Sequence, residues 1–142
     1  MSSVIISKEL LSTVHRHGEE AYPEEGAGFL LGTGNSSDKH IVELLAFPNS
    51  REEAARHNRY LLTPDDYLRA EIIAMNKNLD VIGIFHSHPD HPNIPSEYDR
   101  EWAIPNLSYI ITSVYGKEAI ESRSWQLTED RMEFVEERLN IT

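Results

Sequence analysis

One stretch of the sequence, residues 82–99 (IGIFHSHPDHPNIPSEYD), constrains the chain more than any other. It opens on a short apolar run with the length and composition of a buried strand, and it continues directly into His86, Ser87 and His88. Side chains two residues apart in a strand share a face. We therefore expect His86 and His88 to project together at the end of this strand, where the chain leaves the sheet.

The residues that follow are expected to bring a carboxylate towards these two imidazoles. The loop is interrupted and stiffened by three prolines, Pro89, Pro92 and Pro95. Ser96 is a predicted helix N-cap, and Asp99 stands three residues further on, in the first turn of that helix. Capping and the helix dipole alone could explain Ser96 and Asp99. The spacing of His86, His88 and Asp99, together with the stiff loop, favours a three-ligand metal site.

The types of ligand indicate which metal this site would take. Two imidazole nitrogens and one carboxylate oxygen, from His86, His88 and Asp99, suit Zn²⁺ and leave a fourth tetrahedral position for water. Structural zinc sites are usually closed and rich in cysteine, and this chain has no cysteine. An open site is typical of catalysis. Iron(II) in a two-histidine, one-carboxylate triad is the alternative metal, and His91 is the alternative third ligand.

The same spacing carries a resemblance to a known family. The pattern H-x-H-x(7)-S-x(2)-D, complete from His86 to Asp99, resembles the signature of the JAMM (MPN+) zinc metalloproteases, in particular their stand-alone prokaryotic members. The resemblance covers most of the chain and implies one MPN domain over residues 1–142. The implied architecture is an α/β fold in which a curved, mixed, largely antiparallel β-sheet is sandwiched by helices.

An upstream acid completes the resemblance. Glu24 and Glu25 precede the glycine-rich segment AGFLLG, and such an acid pair before a turn is usually only solvated. The family's upstream segment is similar to P-x-E-x-x-G-x-L-x-G, which is matched here by Pro23, Glu25, Gly28, Leu30 and Gly32. The resemblance therefore implies that Glu25, not Glu24, is the general base and acid. It also implies that the Ser96 hydroxyl donates a hydrogen bond to the oxyanion of the reaction.

Composition narrows the class of protein. A chain of 142 residues with 39% hydrophobic and 26% charged residues is expected to form one globular domain. The net charge is −11 and the basic residues are scattered, which argues against nucleic acid and an anionic membrane as partners. The sequence has no apolar run of membrane-spanning length, and its start, MSSVIISKELL, lacks the features of a signal peptide. We therefore expect a cytoplasmic protein.

The pattern along the chain predicts strands and helices that alternate in part. Strands are expected at 2–6, 27–32, 40–47, 59–62, 80–85, 107–115 and 119–127, with a loop at 48–58 and either a strand or a helix at 131–141. Helices are expected to begin after the caps Ser7, Thr63 and Ser96. Several strands with two long helices between them indicate an α/β sandwich with a mixed, largely antiparallel sheet.

Three classes of function differ in what they require of the sequence. The first, implied by the resemblance, is a zinc metallopeptidase that cuts an amide bond at the C-terminal tail of a ubiquitin-like protein, with a sulfur-carrier protein or its conjugate as substrate. The second is a non-catalytic MPN scaffold that binds protein partners, a class whose metal positions are usually degenerate. The third, a nucleobase deaminase, requires a P-C-x-x-C ligand pair that this chain lacks. The sequence leaves the oligomeric state undetermined.

Overall fold

The computed structural model of the chain describes residues 2–47 and 62–142. Within these residues the strands are β1 (Ser3–Ile6), β2 (Ala27–Asn35), β3 (Asp38–Phe47), β4 (Asp80–Pro89), β5 (Ser108–Tyr115), β6 (Glu118–Leu127) and β7 (Phe134–Ile141). The helices are α1 (Lys8–Ala21), α2 (Pro64–Asn76) and α3 (Glu97–Trp102). No helix among the described residues is long and apolar enough to cross a lipid bilayer.

The strands form one mixed sheet that closes into a barrel in the order β1-β3-β2-β4-β5-β6-β7. The histidine-bearing strand β4 lies between β2, which runs antiparallel to it, and β5, which runs parallel. The short strand β1 pairs in parallel with both β3 and β7 and thereby closes the barrel. The remaining neighbours pair antiparallel, so the predicted mixed, largely antiparallel sheet is confirmed.

The helices begin where their capping residues predict. The Ser7 side chain accepts a hydrogen bond from the Leu10 N–H at the start of α1. Thr63 forms a reciprocal capping box with Asp66 at the start of α2. A side-chain acceptor at the cap satisfies an N–H that has no partner inside the helix, and each such cap contributes about 1 kcal/mol. The ends of these helices are therefore fixed by local sequence.

The core consists of two clusters that use opposite faces of the sheet. One cluster packs Ile84 of β4 and Phe29 of β2 against Ala70 of α2. The other packs the adjacent residue Phe85 with Val14 of α1. The helices thus cover both faces of the same strands, as the predicted sandwich requires.

The structure decides one open alternative, extends one predicted strand and leaves one predicted region outside the described residues. In the 131–141 segment, for which strand and helix were both open, Phe134–Ile141 forms strand β7 beside β6. Strand β4 continues one residue beyond the histidines, since Pro89 still pairs with Val114 of β5. The predicted loop at 48–58 and nearly all of the predicted strand at 59–62 lie outside the described residues.

Candidate metal centre

The end of β4 and the start of α3 bring together the three predicted ligands. His86 and His88 are buried and lie on the same face of β4, as strand periodicity predicts. Asp99 is buried in the first turn of α3. One nitrogen of each imidazole and one oxygen of the carboxylate all lie within 4.8 Å of one another. Among the described residues, His86, His88 and Asp99 therefore form a group that could hold a metal ion.

The distances within this group are close to those between the ligands of a small metal ion. The Nε2 atom of His88 lies 3.1 Å from Oδ2 of Asp99, and Nε2 of His86 lies 3.8 Å from Oδ1 of the same carboxylate. Two ligand atoms at about 2.0–2.2 Å from a tetrahedral zinc ion lie about 3.3–3.6 Å apart. The two observed separations bracket that range, so small shifts would fit the group to zinc.

Helix capping fixes the position of the carboxylate. The Asp99 N–H donates to the Ser96 Oγ at 3.1 Å, and Oδ2 of Asp99 accepts from the Ser96 N–H at 2.8 Å. The sequence predicted Ser96 as a cap but did not predict this return bond from Asp99, which completes a capping box. Because Oδ2 also faces His88, the same atom that completes the cap is aimed at the imidazoles.

The loop after β4 orients the second imidazole. Nδ1 of His88 lies 2.7 Å from the carbonyl oxygen of Pro92, which can only accept a hydrogen bond. Nδ1 therefore carries the proton, and Nε2 faces Asp99 and is the atom available to a metal. The stiff loop predicted from its prolines thus contributes directly to the ligand geometry.

Glu25 lies beside the three candidate ligands, in the segment that leads into β2. Ala27, the first residue of β2, pairs with His86, and Glu25 precedes it by two residues. Oε1 of Glu25 lies 3.9 Å from Nδ1 of His86, and Glu25 is only 9% exposed. The next residue, Gly26, packs closely against α1, since a Cβ atom there would lie 2.9 Å from the ring of His17. Glu25 is thus near the group of three but outside it.

Ser87, between the two histidines, joins β4 to the segment that carries Glu25. Its side chain points to the opposite face of the strand, where its Oγ accepts from the Gly26 N–H at 2.9 Å. Its own N–H donates to the Gly26 carbonyl oxygen at 3.0 Å. No role was predicted for Ser87 from the sequence, and the only signal for one was its alternation with two ligands.

The electrostatics keep two of the three ligands in the form that binds a metal. Burial lowers the pKa of His86 to about 4, although the charge of Asp99 opposes this shift, so His86 is neutral at pH 7. Burial tends to raise the pKa of Asp99, but His86, His88 and the Ser96 N–H together hold that pKa well below its usual range. Burial tends to lower the pKa of His88, but Asp99 outweighs it and the pKa is raised.

A cavity of about 490 Å³ opens onto these groups. Its lining includes His88, Asp99, Ser96 and Glu25, so the residues predicted to be ligand, cap and base share one space. His91 lies on the exposed rim and outside the group of three, so the structure brings Asp99 and not His91 to the imidazoles.

A second cavity, of about 480 Å³, adjoins the first and was not predicted from the sequence. Tyr98 of α3 lines both cavities and lies between them. The walls of the second cavity are mostly apolar: Phe29, Leu62, Pro64, Tyr67, Ile84, Trp102 and Ile104. These residues come from β2, β4, α2, α3 and the segments next to the two helices, so no local sequence pattern could have indicated the cavity.

The barrel and its buried group of histidines and aspartate define a JAB/MPN-type domain. The model of the family Prok-JAB, described as prokaryotic homologs of the JAB domain, matches residues 7–128. The chain therefore belongs to this family, as its histidine motif predicted.

Two relatives are known by name. The chain is 26% identical over 114 residues to a "Probable TtuB-protein conjugate cleaving protease" of Thermus thermophilus, a match that covers 80% of this chain and 72% of the relative. It is 33% identical over 96 residues to the "Desampylase" of Haloferax volcanii, which covers 67% of this chain and 66% of the relative.

Solved structures of other proteins have a fold similar to that of this chain. A protein of Salinibacter ruber is 40% identical with a TM-score of 0.75, over 100% of this chain and 92% of that one. A protein of Desulfitobacterium hafniense has a TM-score of 0.83 at 24% identity, over 99% of this chain and 92% of its own. A JAB1/MPN domain protein of Archaeoglobus fulgidus has a TM-score of 0.57 at 21% identity, over 97% of both chains.

Proposed function

We propose that this protein is a zinc-dependent metallo(iso)peptidase of the JAMM type. It hydrolyses the amide bond at the C-terminal tail of a ubiquitin-like protein, and its substrate is a sulfur-carrier protein or a conjugate of one. The observation that carries the proposal is the convergence of His86, His88 and Asp99, with Oε1 of Glu25 3.9 Å from Nδ1 of His86. The names of the two relatives, a conjugate cleaving protease and a desampylase, support the substrate class.

The donor set supports zinc as the metal. Two imidazoles and one carboxylate are borderline ligands that suit zinc, and three protein ligands leave a position open. When bound by His86, His88 and Asp99, zinc would supply Lewis acidity, which polarises a carbonyl and makes water a stronger nucleophile at neutral pH.

The other side chains in the cavity move the proton and hold the substrate oxygen. Glu25 is nearly buried, so its carboxylate accepts the proton of the attacking water in a site where bulk water cannot easily substitute for it. The protonated Glu25 then donates that proton to the leaving amine. Ser96 accepts a hydrogen bond from the Asp99 N–H and still has its own hydroxyl proton, which it donates to the carbonyl oxygen as negative charge develops.

The proposal is tested with the zinc-loaded protein and two forms of one ubiquitin-like sulfur-carrier protein. One form extends past its C-terminal Gly-Gly by a short peptide, and the other is joined through that terminus to a lysine side chain. We expect intact-mass spectrometry to show a carrier that ends in a free Gly-Gly carboxylate.

Two controls make the result specific. Removal of zinc with a chelator should stop the cleavage, and re-addition of zinc should restore it, whereas His88→Ala should be inactive under both conditions. A purified wild-type protein that holds no metal and leaves both substrates intact would overturn the proposal in favour of a non-catalytic scaffold. Cleavage that survives chelation and His88→Ala would instead refute the metal mechanism.

A further inference from the structure

The segment that carries Glu25 is attached to the metal-ligand strand at two points. At its C-terminal end, Gly26 exchanges two hydrogen bonds with Ser87, which lies between the histidines of β4. At its N-terminal end, the Tyr22 hydroxyl donates to Oδ2 of Asp90 at 2.6 Å. Asp90 follows His88 by two residues, so both attachments lead back to the ligand strand.

Asp90 is itself held firmly. Its N–H donates to the Val114 carbonyl oxygen at 2.7 Å, and its Oδ1 accepts from the Gly116 N–H at 3.1 Å. Its backbone has a φ of 58°, a left-handed conformation that aspartate and asparagine tolerate better than other side chains. The carboxylate is therefore held at the β5–β6 turn by contacts that do not involve Tyr22, and it offers the Tyr22 hydroxyl an acceptor in a fixed position.

Tyr22 is also fixed at its backbone. Its N–H donates to the Gly18 carbonyl oxygen at the end of α1, at 3.2 Å. Gly18 lies tightly against β4 and β5, since a Cβ atom there would lie 3.1 Å from both Ser87 and Val114. The short segment from Tyr22 to Gly26 is thus bounded by fixed groups at both ends, with Glu25 next to the C-terminal one.

We infer that Tyr22 and Asp90 are positioning residues, which act through Glu25 and set the distance between its carboxylate and the metal ligands. This inference rests on the proposed function for its catalytic part. Neither residue lines the cavity that holds Glu25. Their hydrogen bond joins residues 68 positions apart and connects the base-carrying segment with the loop that orients His88. A shift of about 1 Å in a catalytic group can cost roughly 100-fold in rate.

The first test is kinetic and uses the zinc-loaded full chain with the peptide-extended carrier protein. Tyr22→Phe removes only the hydroxyl, and we expect kcat to fall roughly tenfold with KM changed by less than about twofold, since a positioning loss acts in the transition state. Asp90→Asn can still accept from Gly116 and can donate its amide to the Tyr22 hydroxyl, so it should stay within about threefold of wild type. Tyr115→Phe, at an exposed tyrosine at the end of β5, is the matched control and should change nothing.

A double-mutant cycle separates positioning from a general structural role. In the Glu25→Gln background, Tyr22→Phe should lower kcat by less than about twofold, because the group that it positions no longer accepts a proton. A general structural defect would cost the same factor in both backgrounds. An equal loss in the two backgrounds, or wild-type kcat in Tyr22→Phe, would overturn the inference.

The second test needs no substrate and therefore distinguishes this inference from the proposed function. Amide hydrogen exchange, read by NMR on the zinc-loaded protein, should be faster in Tyr22→Phe than in wild type at Glu24 and Gly26, and unchanged in the centre of β5. If the wild type cleaves no ubiquitin-like substrate but the exchange result holds, the proposed function fails and the attachment stands. Unchanged exchange at Glu24 and Gly26 would refute the attachment whatever the activity.

Discussion

Replacement of Glu25 by glutamine separates the chemistry of the site from metal binding. Glutamine has nearly the same size as glutamate and remains polar, but it cannot accept a proton from water at neutral pH. Glu25 lies outside the group of three ligands, and its Oε1 is 3.9 Å from Nδ1 of His86. We therefore expect Glu25→Gln to keep the fold, the zinc and the substrate affinity.

The size of the effect follows from how far Glu25 is shielded from water. General base catalysis supplies about 10²–10⁴-fold in rate. Glu25 is only 9% exposed, so bulk water has little access to replace it, and the loss should fall in the upper half of that range. We expect kcat to fall roughly 10³–10⁴-fold, which corresponds to about 4–5.5 kcal/mol of activation free energy. KM should stay within about twofold of wild type.

The assay combines steady-state cleavage of the peptide-extended carrier protein with zinc content measured by elemental analysis. Glu24→Gln is the matched control, because Glu24 has the same chemistry but does not line the cavity. It should cost less than about threefold. Full activity in Glu25→Gln together with loss of activity in Glu24→Gln would refute the assigned base and the register of the upstream motif. Loss of zinc in Glu25→Gln would show that Glu25 is a ligand.

Three further predictions concern the metal and the core. His88→Ala should purify with little zinc and no activity while the fold survives, and elemental analysis with circular dichroism checks this; full zinc would refute the ligand assignment. Zinc affinity should decrease as the pH decreases. Burial tends to lower the pKa of His88, but Asp99 outweighs burial and raises that pKa, so a proton competes with zinc for Nε2 of His88 as the pH falls through this pKa. His86, with a pKa of about 4, stays neutral. Chelator competition between pH 8 and 6 measures this, and tighter binding at pH 6 would contradict it. Gly28→Ala should destabilise the fold by about 1–3 kcal/mol in urea unfolding, because the new Cβ atom would lie 2.5 Å from the Phe85 ring; an unchanged midpoint would refute the close approach.

Those parts of the fold and the site that depend on local sequence were predictable. The shared direction of His86 and His88 follows from strand periodicity, and the starts of α1, α2 and α3 follow from Ser7, Thr63 and Ser96. These features need only a few neighbouring residues. For the same reason the proximity of His86, His88 and Asp99 could be predicted from their spacing within one short stretch of the chain.

Features that join distant segments were not predictable from the residues alone. The closure of the barrel depends on β1, four residues that pair in parallel with β3 and β7, two strands far apart in the sequence. The hydrogen bond between Tyr22 and Asp90 joins elements with no common pattern in the sequence. The choice of Glu25 over Glu24 came from the family resemblance, and of the two only Glu25 lines the cavity. Non-local pairings of this kind carry no local signature.

Asp99 makes contacts both within its own helix and with the two histidines of β4. Its Oδ2 lies within hydrogen-bond distance of both the Ser96 N–H and Nε2 of His88, while Oδ1 faces His86. The capping box holds the carboxylate in one rotamer, so the ligand is oriented by the helix before any metal arrives. Orientation in advance removes part of the entropic cost of binding. We therefore expect Ser96, whichever part it takes in the proposed chemistry, to contribute to metal affinity through the carboxylate that it holds.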